Sequence, residues 1–187
     1  MYYNLPWLLQ QASQAQRIKY LFFWGHKPSS NGNLDSTCLS QWWEGHVFSE
    51  HEEVYLTAEH YMMAVKARLF GDEAMYRAIL AADSPGEAKK LGRKVRNFDQ
   101  RVWEAHCLSI VIEGNYLKFS QHEDLKTFLL SSQGRVLVEA SPRDRIWGIG
   151  LGKDHPDAEH PDRWRGKNLL GFCLMEVRDR IRKEQEV

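Results

Sequence analysis

From Leu56 to Phe70 the polar and apolar positions alternate with helical spacing. Tyr61, Met62, Met63 and Phe70 recur as a core-facing set, Thr57 offers a capping hydroxyl, and no Gly or Pro intervenes before Gly71. The pattern predicts a helix over 58–70. Other runs follow the same logic. Residues 7–19, rich in Gln and Ala, predict a modestly amphipathic helix, and the aromatic run Lys19 to Trp24 ahead of Gly25 predicts a strand. The segment 27–33 carries Pro, Asn and Gly and predicts a loop. Residues 45–56 predict a short strand pair, and Asp72 opens a helix to about Ala82. Ser84, Pro85 and Glu87 form a capping-box pattern for a helix to Gly92. Asp99 caps a long helix to about Phe119 that Gly114 is expected to bend or interrupt. A short helix is predicted over 122–131, a buried strand over 135–140, an irregular stretch over 148–164, and a final helix from Asn168 to about Lys183.

Two charges on the 58–70 helix change the picture. Glu59 and Lys66 are seven positions apart, close to two turns or about 10 Å along the axis, and so share one face. On a helix such charges are usually solvated. These two lie on or beside the apolar stripe, where burial lowers a lysine pKa and raises a carboxyl pKa towards the values that proton transfer needs. A carboxylate and an amine held that way make a candidate reaction site.

Composition narrows the function classes. A chain of 187 residues, 43% of them hydrophobic and seven of them Trp, suffices for one domain with a substantial core. Lys plus Arg equals Asp plus Glu at 25 each, so no global field favours a nucleic-acid backbone or an anionic membrane, and any polyanion needs a local patch. Cys38, Cys107 and Cys173 form no C-x-x-C pair. They are expected to be buried, reduced thiols of a cytoplasmic protein, and no window reaches membrane-spanning length.

Other patterns carry less. Gly148 to Lys153 looks like a phosphate loop, but no helix N-terminus follows it; what remains is that successive glycines let backbone amides approach an anion with Lys153 in reach. The His and acidic residues at 51–53 and 155–160 lack metal-ligand spacing, so neither metal nor cofactor is expected. No G-x-S-x-G elbow supports a serine triad. Trp103, Trp147 and Trp164 are ordinary core residues or flat surfaces on which a base stacks.

Taken together, Thr57-Ala58-Glu59-His60-Tyr61 with Lys66, Leu91-Gly92-Arg93, Trp103, Lys118-Phe119-Ser120-Gln121, Leu137 to Pro142 with Asp144, Ile146-Trp147-Gly148, and Gly166 to Gly171 resemble, in order and spacing, the NADAR family. That family is also described as YbiA-like or riboflavin-biosynthesis-associated N-glycosidases. The resemblance spans about residues 20–182, leaving 1–19 as an N-terminal extension, expected to be helical, ahead of a NADAR domain over 20–187. It implies an α+β fold, predominantly helical and compact, with a few short strands. It also implies hydrolysis of the bond between a ribosyl C1 and a base or amine nitrogen. Two substrate classes go with it: ADP-ribose on guanine, in nucleotide or nucleic acid, and phosphoribosyl pyrimidine intermediates of riboflavin synthesis. By carry-over Glu59 is the catalytic acid position and Lys66 the lysine that forms a Schiff base with ribose C1. Trp103, and with it Asp144, Trp147, Gly148 and Asn168, falls on substrate-binding positions. Where many relatives have Phe-Ser-Asn-Phe, this chain has Leu39-Ser40-Gln41-Trp42. The first expectation is an ADP-ribosyl-guanine hydrolase, the alternatives being the riboflavin intermediate and a non-catalytic ADP-ribose or nucleotide reader. Neither a membrane nor strong bulk nucleic-acid binding is expected.

Overall fold

The structure, a computed structural model, describes residues 1–14, 17–28 and 33–186. Its elements are α1 (Leu5–Ala12), β1 (Tyr20–Phe23), β2 (Phe48–Glu50), β3 (Glu53–Tyr55), α2 (Ala58–Leu69), α3 (Glu73–Leu80), α4 (Pro85–Gly92), α5 (Gln100–Ser120), α6 (Glu123–Ser131), β4 (Val136–Glu139) and α7 (Leu169–Gln185). This is an α+β architecture, predominantly helical, as expected. The chain divides into two compact units, Met1–Ser40 with Asp124–Val187, and Gln41–Glu123.

The first unit is built on a parallel pair. β1 runs beside β4 with Tyr20 opposite Val136 and Phe23 opposite Glu139. Val136, Leu137 and Val138 are all buried, as strand residues covered on both faces must be. α7 packs on β4 closely enough that a Cβ on Gly171 would meet the Leu137 carbonyl at 2.1 Å, so only glycine permits this approach. Arg178, on the buried face of α7, donates from Nη1 to the carbonyls of Ser132 and Arg135 and to Ser132 Oγ, fastening the turn after α6. α1 starts before the predicted helix because Asn4 Oδ1 accepts from the Trp7 amide (2.8 Å) with Pro6 in the first turn. It is also shorter, ending at Ala12; Ala15 and Gln16 of the predicted run, and residues 29–32 of the predicted loop, lie outside the described residues.

The second unit gathers α3, α4 and α5 around α2, with the β2–β3 hairpin closing one end through a ring cluster. Tyr61 stands 4.9 Å from Tyr55, and Phe48 is 5.8 Å from Tyr55. Gly114 neither bends nor interrupts α5. The helix is continuous, and a Cβ there would come within 2.4 Å of Tyr61 Cδ1, so the glycine lets α5 approach α2. Gly92 does the same on α4, where a Cβ would meet Met63 Sδ at 2.1 Å. Thr57, Asp72, Ser84 and Asp99 each cap a helix as predicted. The Glu87 carboxylate, however, accepts from the Asp83 amide (3.2 Å) rather than from Ser84, so the capping box is reciprocal one residue earlier than its usual form. Cys38, Cys107 and Cys173 are buried and none of the three is in a disulfide. Among the described residues no helix is long and apolar enough to cross a membrane.

Candidate active site

In the second unit the site begins with the placement of α2. Thr57 Oγ1 accepts from the His60 amide (3.3 Å), and the same hydroxyl meets His60 Nδ1 at 2.8 Å, while His60 Nε2 lies 3.0 Å from the Ala82 carbonyl. A carbonyl only accepts, so Nε2 carries the proton and the threonine hydroxyl donates to Nδ1. Burial pushes the His60 pKa below the usual histidine range and keeps the ring neutral. The next residue towards the N-terminus is Glu59, which is 5% exposed and whose amide donates to the Gln41 carbonyl (2.9 Å).

Two turns on, Lys66 is half-buried. Its Nζ donates to the Gly92 carbonyl (2.9 Å) and lies 4.3 Å from the Phe98 ring centroid and 5.4 Å from that of Trp103. Gly92 ends α4, where carbonyls lack intrahelical partners, and so offers a free acceptor. The rings and the carbonyl favour the ammonium, but desolvation is larger. It lowers the Lys66 pKa below the usual lysine value, with the Glu59 charge opposing the shift. The amine is thus oriented by one acceptor, walled by two rings, and more easily deprotonated than a surface lysine.

Behind this face lies a buried amide pair. Asn115 Nδ2 donates to Gln41 Oε1 (2.7 Å) and to the Val111 carbonyl (2.8 Å), and Gln41 Nε2 points at Met62 Sδ (3.8 Å). Gln41, one of the three positions that depart from the Phe-Ser-Asn-Phe pattern, therefore bridges α2 and α5. The adjacent tryptophans divide as side chains of opposite direction must. Trp43 is buried with Nε1 donating to His46 Nδ1 (3.0 Å), and Trp42 is half-buried against Gly86 and Lys89.

Asp144, Trp147, Gly148 and Asn168 belong to the first unit, Glu59, Lys66 and Trp103 to the second. Asp144 Oδ1 accepts from the amides of Ile146 and Trp147 (both 2.8 Å), a turn that fixes the backbone of half-buried Trp147. Gly148 is buried so tightly that a Cβ would meet the Glu139 carbonyl at 2.9 Å. Asn168 is fully buried in the left-handed region (φ 53°). Its Oδ1 accepts from the Glu139 amide and its Nδ2 donates to the Leu137 carbonyl, each at 2.9 Å, so the side chain ties the start of α7 to β4. The amides of Ile149 and Gly150 are likewise taken, by the carbonyls of Glu139 and Asp144, which removes them from the anion cradle expected of this glycine run.

Two contributors were given no role by the sequence reading: Phe98 and the Gly92 carbonyl. Phe98 sits in a polar turn with no periodicity to flag it. The carbonyl is a backbone atom. Lys118, one of the motif residues quoted for the resemblance, is 1% exposed on α5 with its Nζ 4.9 Å from the Phe119 ring centroid.

With this geometry in place, comparison with known proteins is decisive. A NADAR domain profile matches residues 22–182. The chain belongs to the NADAR family. That match runs through both units of the fold. N-glycosidase R617 of Acanthamoeba polyphaga mimivirus is 42% identical over 86% of this chain and 95% of its own length. N-glycosidase Npun_R5314 of Nostoc punctiforme is 36% identical over 72% of this chain and 83% of its own. N-glycosidase YbiA of Escherichia coli is 32% identical over 69% and 72%. The NMR structure of Escherichia coli YbiA superposes with a TM-score of 0.70 at 26% identity, covering 94% of this chain and 92% of that one. By this membership the NADAR chain is a hydrolase of the N-glycosidase class.

Proposed function

We propose that the protein cleaves the bond between ribose C1 and a base nitrogen, removing ADP-ribose from guanine or a related ADP-ribosyl substrate, with Lys66 as nucleophile and Glu59 as proton shuttle. The observation that carries this reading is the setting of Lys66, a desolvated amine held by the Gly92 carbonyl between two rings on the same helix as a buried carboxylate. A neutral amine donates one N–H to that carbonyl and keeps its lone pair for attack.

The steps balance as follows. The Lys66 lone pair bonds to C1 as the C1–N bond breaks, and the departing nitrogen receives a proton from the Glu59 carboxyl. The lysine nitrogen then returns a proton to Glu59. Ring opening transfers the C1–O4′ electrons to oxygen, which takes that proton from Glu59, and leaves an iminium between C1 and Lys66. Water deprotonated by Glu59 adds to C1; Glu59 then hands that proton to the lysine nitrogen, the C1–N bond breaks, and the C1 hydroxyl returns its proton to Glu59 as the aldehyde forms. The sum is substrate plus water giving ribosyl product plus free base. The half-exposed Trp103 offers a flat ring to the base or sugar, and cationic character at C1 is stabilised by the nearby carboxylate. In the first unit, Asp144, Gly148 and Asn168 hold the segment that carries Trp147, and the binding role of that segment is to present the Trp147 ring.

Incubation with an ADP-ribosyl-guanine nucleotide and, separately, with a phosphoribosyl pyrimidine, followed by mass spectrometry of the released base, tests the reading. Free guanine from the first supports it. Release only from the second transfers the chemistry to the riboflavin intermediate, and tight binding of ADP-ribose with no base released in either case assigns a reader instead of an enzyme.

A further inference from the structure

The net charge of zero hides a strong local imbalance. Of the thirteen residues from Lys89 to Arg101, six are basic (Lys89, Lys90, Arg93, Lys94, Arg96 and Arg101) and one, Asp99, is acidic. Asp99 is occupied in capping α5, where its Oδ1 accepts from the Val102 amide (2.9 Å). Lys90, Arg93, Lys94 and Arg101 are exposed and, among the described residues, make no ion pair. The helix dipole explains Lys89 and Lys90 at the end of α4, but it opposes Arg101 in the first turn of α5.

The segment is also held in shape. Asp72, itself 1% exposed, accepts from the Arg96 amide (2.9 Å) and guanidinium (2.7 Å) and from the Met75 amide (3.3 Å). Asn97 turns the chain with φ 56°, and the turn delivers Phe98, 43% exposed, and then Val102, 39% exposed, to the surface. Exposed cations on a held backbone beside an exposed ring are what a flexible phosphate chain with unstacked bases meets in single-strand-binding proteins.

We propose that residues 89–101 form a docking surface for single-stranded nucleic acid, the basic side chains taking the phosphates and the exposed surface of Phe98 taking a base. The strand would be delivered beside the Lys66 amine, which lies against the same Phe98 ring; that consequence rests on the reading above, whereas strand binding itself does not.

Fluorescence anisotropy with an unmodified, labelled single-stranded 12-nucleotide probe across a salt series tests the surface. Four phosphate contacts give a log–log salt slope near −3, since each contributes about −0.7 on a single strand. The variant Lys90→Ser/Arg93→Ser/Lys94→Ser/Arg101→Ser is expected to lose at least tenfold in affinity and to flatten the slope. Arg93→Ser and Arg101→Ser alone should each reduce the slope by about 0.7 and keep the test valid if the fourfold variant fails to fold. Binding that is absent at low salt, indifferent to these substitutions, tighter for duplex, or matched by phosphatidylserine vesicles overturns the proposal. Because the probe carries no ADP-ribose, the two readings fail separately: strand binding together with no guanine released from an ADP-ribosyl-guanine nucleotide removes the ADP-ribosyl-guanine reading, and guanine release from that nucleotide without strand binding removes the surface.

Discussion

At the residue scale, the account turns on how Lys66 is kept partly neutral. Its pKa is lowered by burial and raised by Glu59, so removing that carboxylate must lower it further. In Glu59→Gln, the pH midpoint for reaction of Lys66 with an amine-selective acylating reagent, followed by peptide mass spectrometry, is expected to move to lower pH. An unchanged or raised midpoint means that the two groups do not interact. In the native enzyme, activity at the acidic limb should rise with pH as the amine loses its proton. Lys66→Arg, which stays cationic, should lose at least a hundredfold in turnover, since covalent participation cannot be replaced by charge alone.

At the element scale, α2 is placed by close approaches that single methyl groups would block. Gly114→Ala puts a carbon against the Tyr61 ring and is expected to cost about 1–3 kcal/mol in denaturant unfolding, the range for overpacked sites. A neutral result would mean that α5 shifts freely. Acid stability carries a second signature. His60 has a lowered folded pKa, so between that value and the unfolded value of about 6.5 the unfolded chain binds more protons. Stability therefore falls as pH drops below about 6.5, and His60→Gln should flatten this limb in urea midpoints measured from pH 7.5 to 5. Asp72 is depressed by its Arg96 bonds, so its contribution is lost only below the ordinary carboxylate range. Asp72→Asn should remove that lower limb and leave the upper one.

These elements also mark what the sequence reveals. α2 was readable to within a residue because Thr57, an unbroken run of helix formers and Gly71 are all local signals, and the caps at Asp72, Ser84 and Asp99 were legible for the same reason. The parallel pairing of β1 with β4 was not, because residues more than a hundred positions apart set that register. Glu59 and Lys66 could be placed on one face by counting turns. Their third neighbour, Phe98, depends on the Asp72–Arg96 bond, which joins positions whose spacing carries no pattern.

At the scale of the whole molecule, the comparison of balanced charge with the Lys89–Arg101 cluster shows why totals mislead: 25 acidic and 25 basic residues cancel in sum and not in place. The family assignment rests on motifs in both units, and several of those motif residues hold the fold. Asn168→Ala would leave the Glu139 amide and the Leu137 carbonyl without their buried partners, at about 1–3 kcal/mol each, and is expected to lower the thermal midpoint by several degrees. A midpoint within a degree of the parent would assign Asn168 no such role.

The most direct measurement is reductive trapping. The protein is mixed with an ADP-ribosyl-guanine nucleotide and sodium borohydride, digested, and the peptide containing Lys66 weighed. The account predicts a reduced ribosyl adduct on Lys66 that appears only with substrate, and none in Lys66→Ala. Full guanine release with no adduct, or an adduct on another lysine such as Lys118, would contradict it.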